Sequence, residues 1–151
     1  MEIDEASLQP YVTEAETHER WSHHQAMSLP IGDVVRQLVD VLGASTVAVI
    51  GNVSETRAVA QWMAGREPQR PHVLRFALQL VAMIGSVDDT EMLRAWFQGS
   101  NPMLNDEMPV LLLRNRPLQE IQPRLVAAAR EFALHMNGEN NKNPKGHNKG
   151  L

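Results

Sequence analysis

A short segment at residues 53–68, VSETRAVAQWMAGREP, carries side chains whose types and spacing suit nucleic-acid recognition. When a helix lies in a major groove, arginine pairs with guanine and glutamine pairs with adenine through two hydrogen bonds. Arg57 and Gln61 lie four residues apart, and a helical step of about 100° per residue places them about 140° and about 100° from Trp62, on the side that faces away from it. The predicted outward face is completed by two small residues that would permit close approach, Ala60 and Ala64.

Further arginines follow this segment at Arg66, Arg70 and Arg75, where we expect them to meet phosphates. The net charge of -4 argues against a protein that coats nucleic acid through positive charge alone. Because basic residues are few, one copy should bind weakly, so the sequence favours a homodimer. The predicted DNA-contacting residues are Thr56, Arg57, Gln61, Arg66 and Arg70.

The elements that must position these residues are helical, because apolar side chains recur at three-and-four spacing and strand alternation is almost absent. The pattern predicts an all-α protein whose first helix lies between Asp33 and Gly43. A short second helix covers residues 45–51, Asn52 occupies a left-handed turn, and Ser54 caps the third helix. Two short helices joined in this way have the layout of a helix-turn-helix. The alternative is an ordinary helical hairpin with a solvated outer face.

The second half of the chain continues the helical pattern. The segment 72–85 is apolar on nearly all sides, so it should be covered from two directions, as a spine between two halves or as a dimer seam. Asp88 or Asp89 is expected to cap the next helix, and Pro109 to start a short one. A terminal helix is indicated by its apolar stripe of Ile121, Leu125, Ala128, Phe132 and Met136.

Composition divides the chain into four parts. Residues 1–30 are acidic and are expected to form a mobile arm, although Thr13 and Glu16 fit a capping box for a short helix. Residues 31–85 form the predicted helix-turn-helix region, and residues 86–136 form a second helical region with a different role. Residues 137–151, NGENNKNPKGHNKGL, are expected to be a disordered polar tail.

Several classes of protein are excluded or disfavoured by what the sequence lacks. There is no cysteine, which fits a reducing compartment such as the cytoplasm, and no apolar run long enough for a membrane span. His18, His23 and His24 lack the spacing of a metal site, so we interpret them as solvated histidines. No phosphate-binding glycine loop or nucleophile motif is present. The sequence therefore predicts no enzymatic activity, no cofactor and no metal.

The segment WFQGSNPMLNDEMPVLL, residues 96–112, contains an unusual succession of turn signals. Asn101 and Pro102 set a turn. That turn and the helix start at Pro109 are expected to hold a partly exposed apolar cluster beside two arginines. Methionine-rich patches adapt well to protein partners. The predicted partner-binding residues are Asn101, Pro102, Met103, Leu104, Met108, Arg114 and Arg116. The alternative is a tie within the core that contacts no partner.

This segment resembles the signature of the Xre/MbcA/ParS antitoxin toxin-binding domain, in which a tryptophan helix precedes an Asn-Pro loop, a glycine turn and Pro-x-x-Leu-Leu. The segment VSETRAVAQW, residues 53–62, is similar to the helix-turn-helix that precedes it in that family, and together the two cover roughly residues 33–132. Asn105 and Asp106 replace the usual glycine pair, and both residue types can adopt the left-handed conformation.

The resemblance implies the antitoxin of a type II toxin-antitoxin system, with an N-terminal DNA-binding half and a small C-terminal toxin-binding half. Such a protein neutralises a RES-domain toxin that consumes NAD or transfers ADP-ribose, and it represses its own operon through operator DNA. Two other hypotheses stay open. One is a helix-turn-helix transcriptional regulator without a toxin partner, and the other is a structural adaptor that has lost DNA binding.

Overall fold

The computed structural model describes residues 14–142, and within this range the chain forms eight α-helices and no β-strand. The predicted all-α class is therefore confirmed. Thr13, and with it the proposed capping box, lies outside the described residues. The helices are α1 (Glu14–Ser28), α2 (Ile31–Leu42), α3 (Ala44–Ile50), α4 (Thr56–Met63), α5 (Pro71–Ile84), α6 (Thr90–Gln98), α7 (Pro109–Asn115) and α8 (Leu118–Lys142), with 3₁₀ turns at Val87–Asp89 and Pro102–Leu104.

Helix α5 is the centre of the fold. It buries side chains around nearly its whole circumference, and α1, α2 and α8 pack against it from different sides. The expectation that this apolar helix is covered from more than one direction is confirmed. Two tryptophans, Trp62 and Trp96, belong to the core and are 5% and 6% exposed, and Trp96 meets Phe97 edge-on with ring centroids 5.1 Å apart. One continuous core therefore joins the two predicted halves.

Residues 14–28 depart from the expected mobile arm, because they form the packed helix α1. Ser22 and Ala26 on this helix are fully buried. Arg75 on α5 donates from Nη1 to the carbonyl oxygens of Ala26 and Leu29, at 3.0 and 2.6 Å. Hydrogen bonds therefore contribute much of the attachment of α1 to the fold. Because they need no apolar side chains, they leave no apolar stripe in the sequence.

Two further contacts fix α1 along its length. Arg130 on α8 makes a two-bonded ion pair with Glu19, at 2.7 and 3.0 Å. His18 donates from Nε2 to the carbonyl oxygen of Ala82 near the end of α5, at 2.6 Å. At the other end of the chain, the backbone of α8 continues to Lys142, so the first residues of the expected disordered tail are helical.

Helix boundaries follow the predictions more closely than the predicted caps do. Ser54 does not cap α4, which begins two residues later with Glu55 at its N-cap position. Asp89 is the N-cap residue of α6 without a capping side-chain bond, but it closes a capping box with Ser86 around the preceding 3₁₀ turn. Pro123 lies inside α8.

Arginine side chains from other elements close the C-terminal ends of several helices. Carbonyl groups in the last turn of a helix have no partner within it, and a positive charge there also interacts favourably with the helix dipole. Arg36 donates to Met63 at the end of α4 (2.7 Å), and Arg94 donates to Val41 at the end of α2 (2.9 Å). The helix ends closed in this way are those of α1, α2, α3, α4 and α7.

Among the helices that the structure describes, none is both long enough and apolar enough to cross a membrane.

Candidate nucleic-acid and partner interfaces

Helices α3 and α4 are joined by a tight turn at residues 51–55, and both pack against α2. Asn52 has a φ of 63°, so the predicted left-handed turn residue is confirmed. The turn is closed by backbone bonds from Asn52 to Val49 (3.1 Å) and from Val53 to Ala48 (3.0 Å). Helices α2, α3 and α4 thus follow one another in the order that the sequence predicts for residues 31–85.

The inward face of α4 fixes how this helix sits against α2 and α3. Val59 and Trp62 are buried, and the Trp62 indole packs against Gly51 at the end of α3. At the other end, Arg36 on α2 holds the Met63 carbonyl and also pairs with Asp33. Helix α4 is therefore held by apolar packing on one face and by an arginine at its C-terminus.

The outward face of α4 is the surface that the sequence predicts. Within the residues that the structure describes, the Arg57 side chain makes no hydrogen bond or ion pair, so its guanidinium is free to bind a ligand. Exposed Glu55 and Glu67 flank the helix, and their negative charges balance the positive charges of the two arginines in residues 55–67. The exposed residues of this face are Thr56, Arg57, Ala60, Gln61 and Ala64.

Helix α4 ends in a Schellman motif. Gly65 has a φ of 112°, and its N–H bonds to the Trp62 carbonyl at 3.0 Å. The N–H of Arg66 bonds to the Gln61 carbonyl, also at 3.0 Å, which is the six-residue closure of this motif. Arg66 is exposed, and its Nη1 donates to Oε1 of Gln61 at 3.3 Å. The structure therefore brings two of the predicted DNA-contacting side chains together.

Arg70 does not lie where a phosphate ligand would need it. It is half-buried and donates to the carbonyl oxygens of Ile50 (3.3 Å), Arg114 (3.0 Å) and Leu113 (2.9 Å). Burial, with a smaller contribution from the charge of Arg114, lowers the pKa of Arg70 from its ordinary value. We therefore correct its assignment, because it ties the end of α3 to the end of α7. The phosphate contact suggested for Arg75 fails for the same reason.

The loop between α6 and α7 is built by the predicted turn residues. The Asn101 side chain accepts from the Met103 N–H at 2.9 Å and caps the 3₁₀ turn. Asn105 and Asp106 have φ values of 57° and 65°, so both adopt the left-handed conformation that their residue types tolerate. An isolated bridge between Asn101 and Glu107 closes the loop.

Leu104 contradicts the predicted exposed cluster, because it is fully buried and its turn packs against α8. The core-tie alternative is the right one for this residue. Met108 is half-buried, whereas Pro102 is exposed and Met103 is 51% exposed. The sequence reasoning missed Leu111, which is 42% exposed on α7. The available signal was the run of three consecutive leucines to which it belongs, because α7 turns one of the three outward.

Arg114 and Arg116 are not a free basic pair. Arg114 donates to the Val49 carbonyl at the end of α3, at 3.0 Å. Arg116 donates to Glu120 at 3.2 Å and lies 3.8 Å from the carboxylate of Glu107. Arg114 is therefore structural, and the charge of Arg116 is largely balanced by its neighbours.

A cavity of about 540 Å³, which the sequence did not predict, lies between α1, α5 and α8. Its lining includes the apolar side chains of Met83, Ile84 and Leu134, with His18 and Glu19 among its polar groups. His18 is occupied by its bond to the Ala82 carbonyl, and His23 donates from Nδ1 to Oε1 of Gln79 at 3.1 Å. Among the described residues, no group of three His, Asp or Glu side chains is arranged to hold a metal ion.

Comparisons of the chain with models of protein families, with curated proteins and with solved structures find no match in any of the three.

Proposed function

We propose that the protein is the antitoxin of a type II toxin-antitoxin system, which binds its operator through α4 and neutralises a RES-domain toxin through its second half. The observation that carries the proposal is the α3–turn–α4 unit, whose second helix is pinned by Trp62 and presents Arg57 and Gln61 to solvent. A helix held in this way can enter a major groove with its small residues, Ala60 and Ala64, nearest to the base edges.

The distribution of charge indicates how strongly one copy would bind. With Arg70 and Arg75 engaged by backbone carbonyls, Arg57 and Arg66 are the arginines that the α4 surface offers to phosphates or bases. Two such contacts give weak binding, so a homodimer on a two-fold operator is the form that we propose. Each neutralised phosphate contributes about 0.9 to the slope of log K against log salt, so a dimer that offers four such arginines should show a slope no steeper than about -4.

The DNA-binding part of the proposal is tested by gel-shift titration of the protein's own promoter at two salt concentrations. Arg57→Ala should weaken specific binding by about 1 to 3 kcal/mol, because it removes a free guanidinium from the outward face. Arg20→Ala is the matched control, since Arg20 is exposed on α1, which does not belong to the helix-turn-helix unit. Equal affinity of wild type and Arg57→Ala would sink the idea.

The toxin-binding part rests on the exposed apolar side chains of Met103 and Leu111, which belong to neighbouring elements of the second half. Co-expression with a RES-domain toxin, encoded beside the protein if one exists, should restore growth. Met103→Asp should abolish rescue while leaving the melting temperature unchanged, and Gln119→Asp, an exposed change on α8, should leave rescue intact. A protein that binds its promoter but never rescues growth is a transcriptional regulator instead.

A further inference from the structure

Gln61 and Arg66 are joined twice at the end of α4, once through the backbone and once through their side chains. They occupy the two positions of the Schellman motif that ordinarily make an apolar contact. Here both residues are polar and exposed, and the contact is a hydrogen bond from the Arg66 guanidinium to the Gln61 amide oxygen. The backbone motif therefore places Arg66 beside Gln61 whether or not DNA is present.

This pairing changes what Gln61 can read. A free glutamine recognises adenine by donating to N7 and accepting from N6, and the second bond needs its amide oxygen. The bond from Arg66 takes one of the two lone pairs of that oxygen, and the adjacent guanidinium hinders a second donor from reaching it, so Gln61 presents mainly its N–H donors. Guanine presents two adjacent acceptors in the major groove, N7 and O6, and so matches a side chain that mainly donates.

We propose that Arg66 is a positioning residue that holds the Gln61 amide with its donors outward, so that α4 selects guanine over adenine at the base that Gln61 faces. The inference rests on the proposed operator binding and reverses the adenine preference expected for Gln61 from its residue type. The geometry that supports it is fixed by Gly65, whose φ of 112° turns the chain back over the last turn of α4.

The experiment is a competition gel shift with the full-length protein on its own promoter and on every single base-pair substitution of the bound site. Wild type should prefer G·C over A·T by on the order of tenfold at one position in each half-site. Gln61→Ala should flatten the preference at that position. Arg66→Ala should turn the preference toward A·T, because it frees the amide oxygen. Arg66→Lys should retain G·C, because lysine can donate to the same oxygen.

Each alternative result has a distinct meaning. An Arg66→Ala protein with the wild-type base preference would overturn the inference while leaving operator binding in place. The same holds for a wild type that prefers A·T at the position flattened by Gln61→Ala. A wild type that binds no promoter sequence would overturn the proposed function, and the inference with it. Thermal melts keep folding separate from base preference, since Arg66→Ala preserves both backbone bonds of the motif.

Discussion

The indole of Trp62 lies so close to Gly51 that a Cβ added to the glycine would stand 2.5 Å from Cη2 and 2.8 Å from Cζ3. The φ of Gly51 is -78°, which any residue can adopt, so glycine is required here by space and not by backbone conformation. This contact sets the approach of α4 to the end of α3, and hence the orientation of the outward face of α4.

Gly51→Ala should therefore destabilise the protein by about 1 to 3 kcal/mol, because the methyl group overpacks a tight contact. Urea denaturation would measure the loss. Trp62→Phe in the same background supplies the control, since the smaller ring leaves room for the methyl group. The double variant should lose less than the sum of the two single changes. Simple additivity would show that the clash is relieved by movement elsewhere.

Arg70→Ala should lower stability by about 1.5 to 3 kcal/mol, because it leaves carbonyl groups of α3 and α7 without their charged donor. Arg57→Ala is the contrasting change, and its exposed side chain should be worth less than about 0.5 kcal/mol. Thermal melts of the two variants would distinguish the roles. A stable Arg70→Ala protein with selectively weakened DNA binding would return Arg70 to the DNA surface.

Leu104 and Met103 are adjacent in sequence but opposite in environment, with 0% and 51% of their surfaces exposed. Leu104→Ala should destabilise by about 2 to 5 kcal/mol, because it opens a cavity against α8. Met103→Ala should change stability by less than about 0.5 kcal/mol. Denaturation midpoints would test both. Any toxin-binding assay must therefore vary Met103, because a charge at position 104 would unfold the loop in any case.

The attachment of α1 should depend on Arg75 more than on Arg130. Arg75→Ala removes the donor of two carbonyls in a half-buried position, which should cost about 1 to 3 kcal/mol. The bond to Glu19 raises the pKa of Arg130. The Arg130 side chain is 49% exposed, however, so Arg130→Ala should lower stability by less than about 1 kcal/mol. Hydrogen exchange of α1 amides would compare them, and equal acceleration in both variants would contradict this ranking.

Periodicity sufficed to predict the helices that bury an apolar stripe. The burial of Trp62 and Trp96 and the left-handed turn at Asn52 were also predictable, because each depends on a preference that a single residue carries. A short helix near Glu16 was among the predictions, but the packing of α1 was missed because its buried side chains Ser22 and Ala26 are small and its attachment relies on partners far along the chain. Such bonds exist only after the fold has brought Arg75 and Arg130 beside it.

The candidate site was predictable as a face but not as a set of contacts. The helical angle placed Arg57 and Gln61 outward, and both are exposed. The binding partners of Arg70 were not predictable, because a guanidinium donates equally well to a phosphate and to a carbonyl group. Leu104 was misplaced for a related reason, since a leucine inside a polar loop has no periodicity to show which way it points.

The arginines at the helix ends also affect how the helices unfold locally. The final turn of a helix ordinarily frays first, and its amides exchange with solvent through small local fluctuations. Here the arginine that closes a given end belongs to another helix or to a connecting segment, as when Arg94 on α6 holds the end of α2 and Arg114 on α7 holds the end of α3. Opening one end therefore requires breaking a bond to a second element. The short helices should thus unfold together, as one cooperative unit.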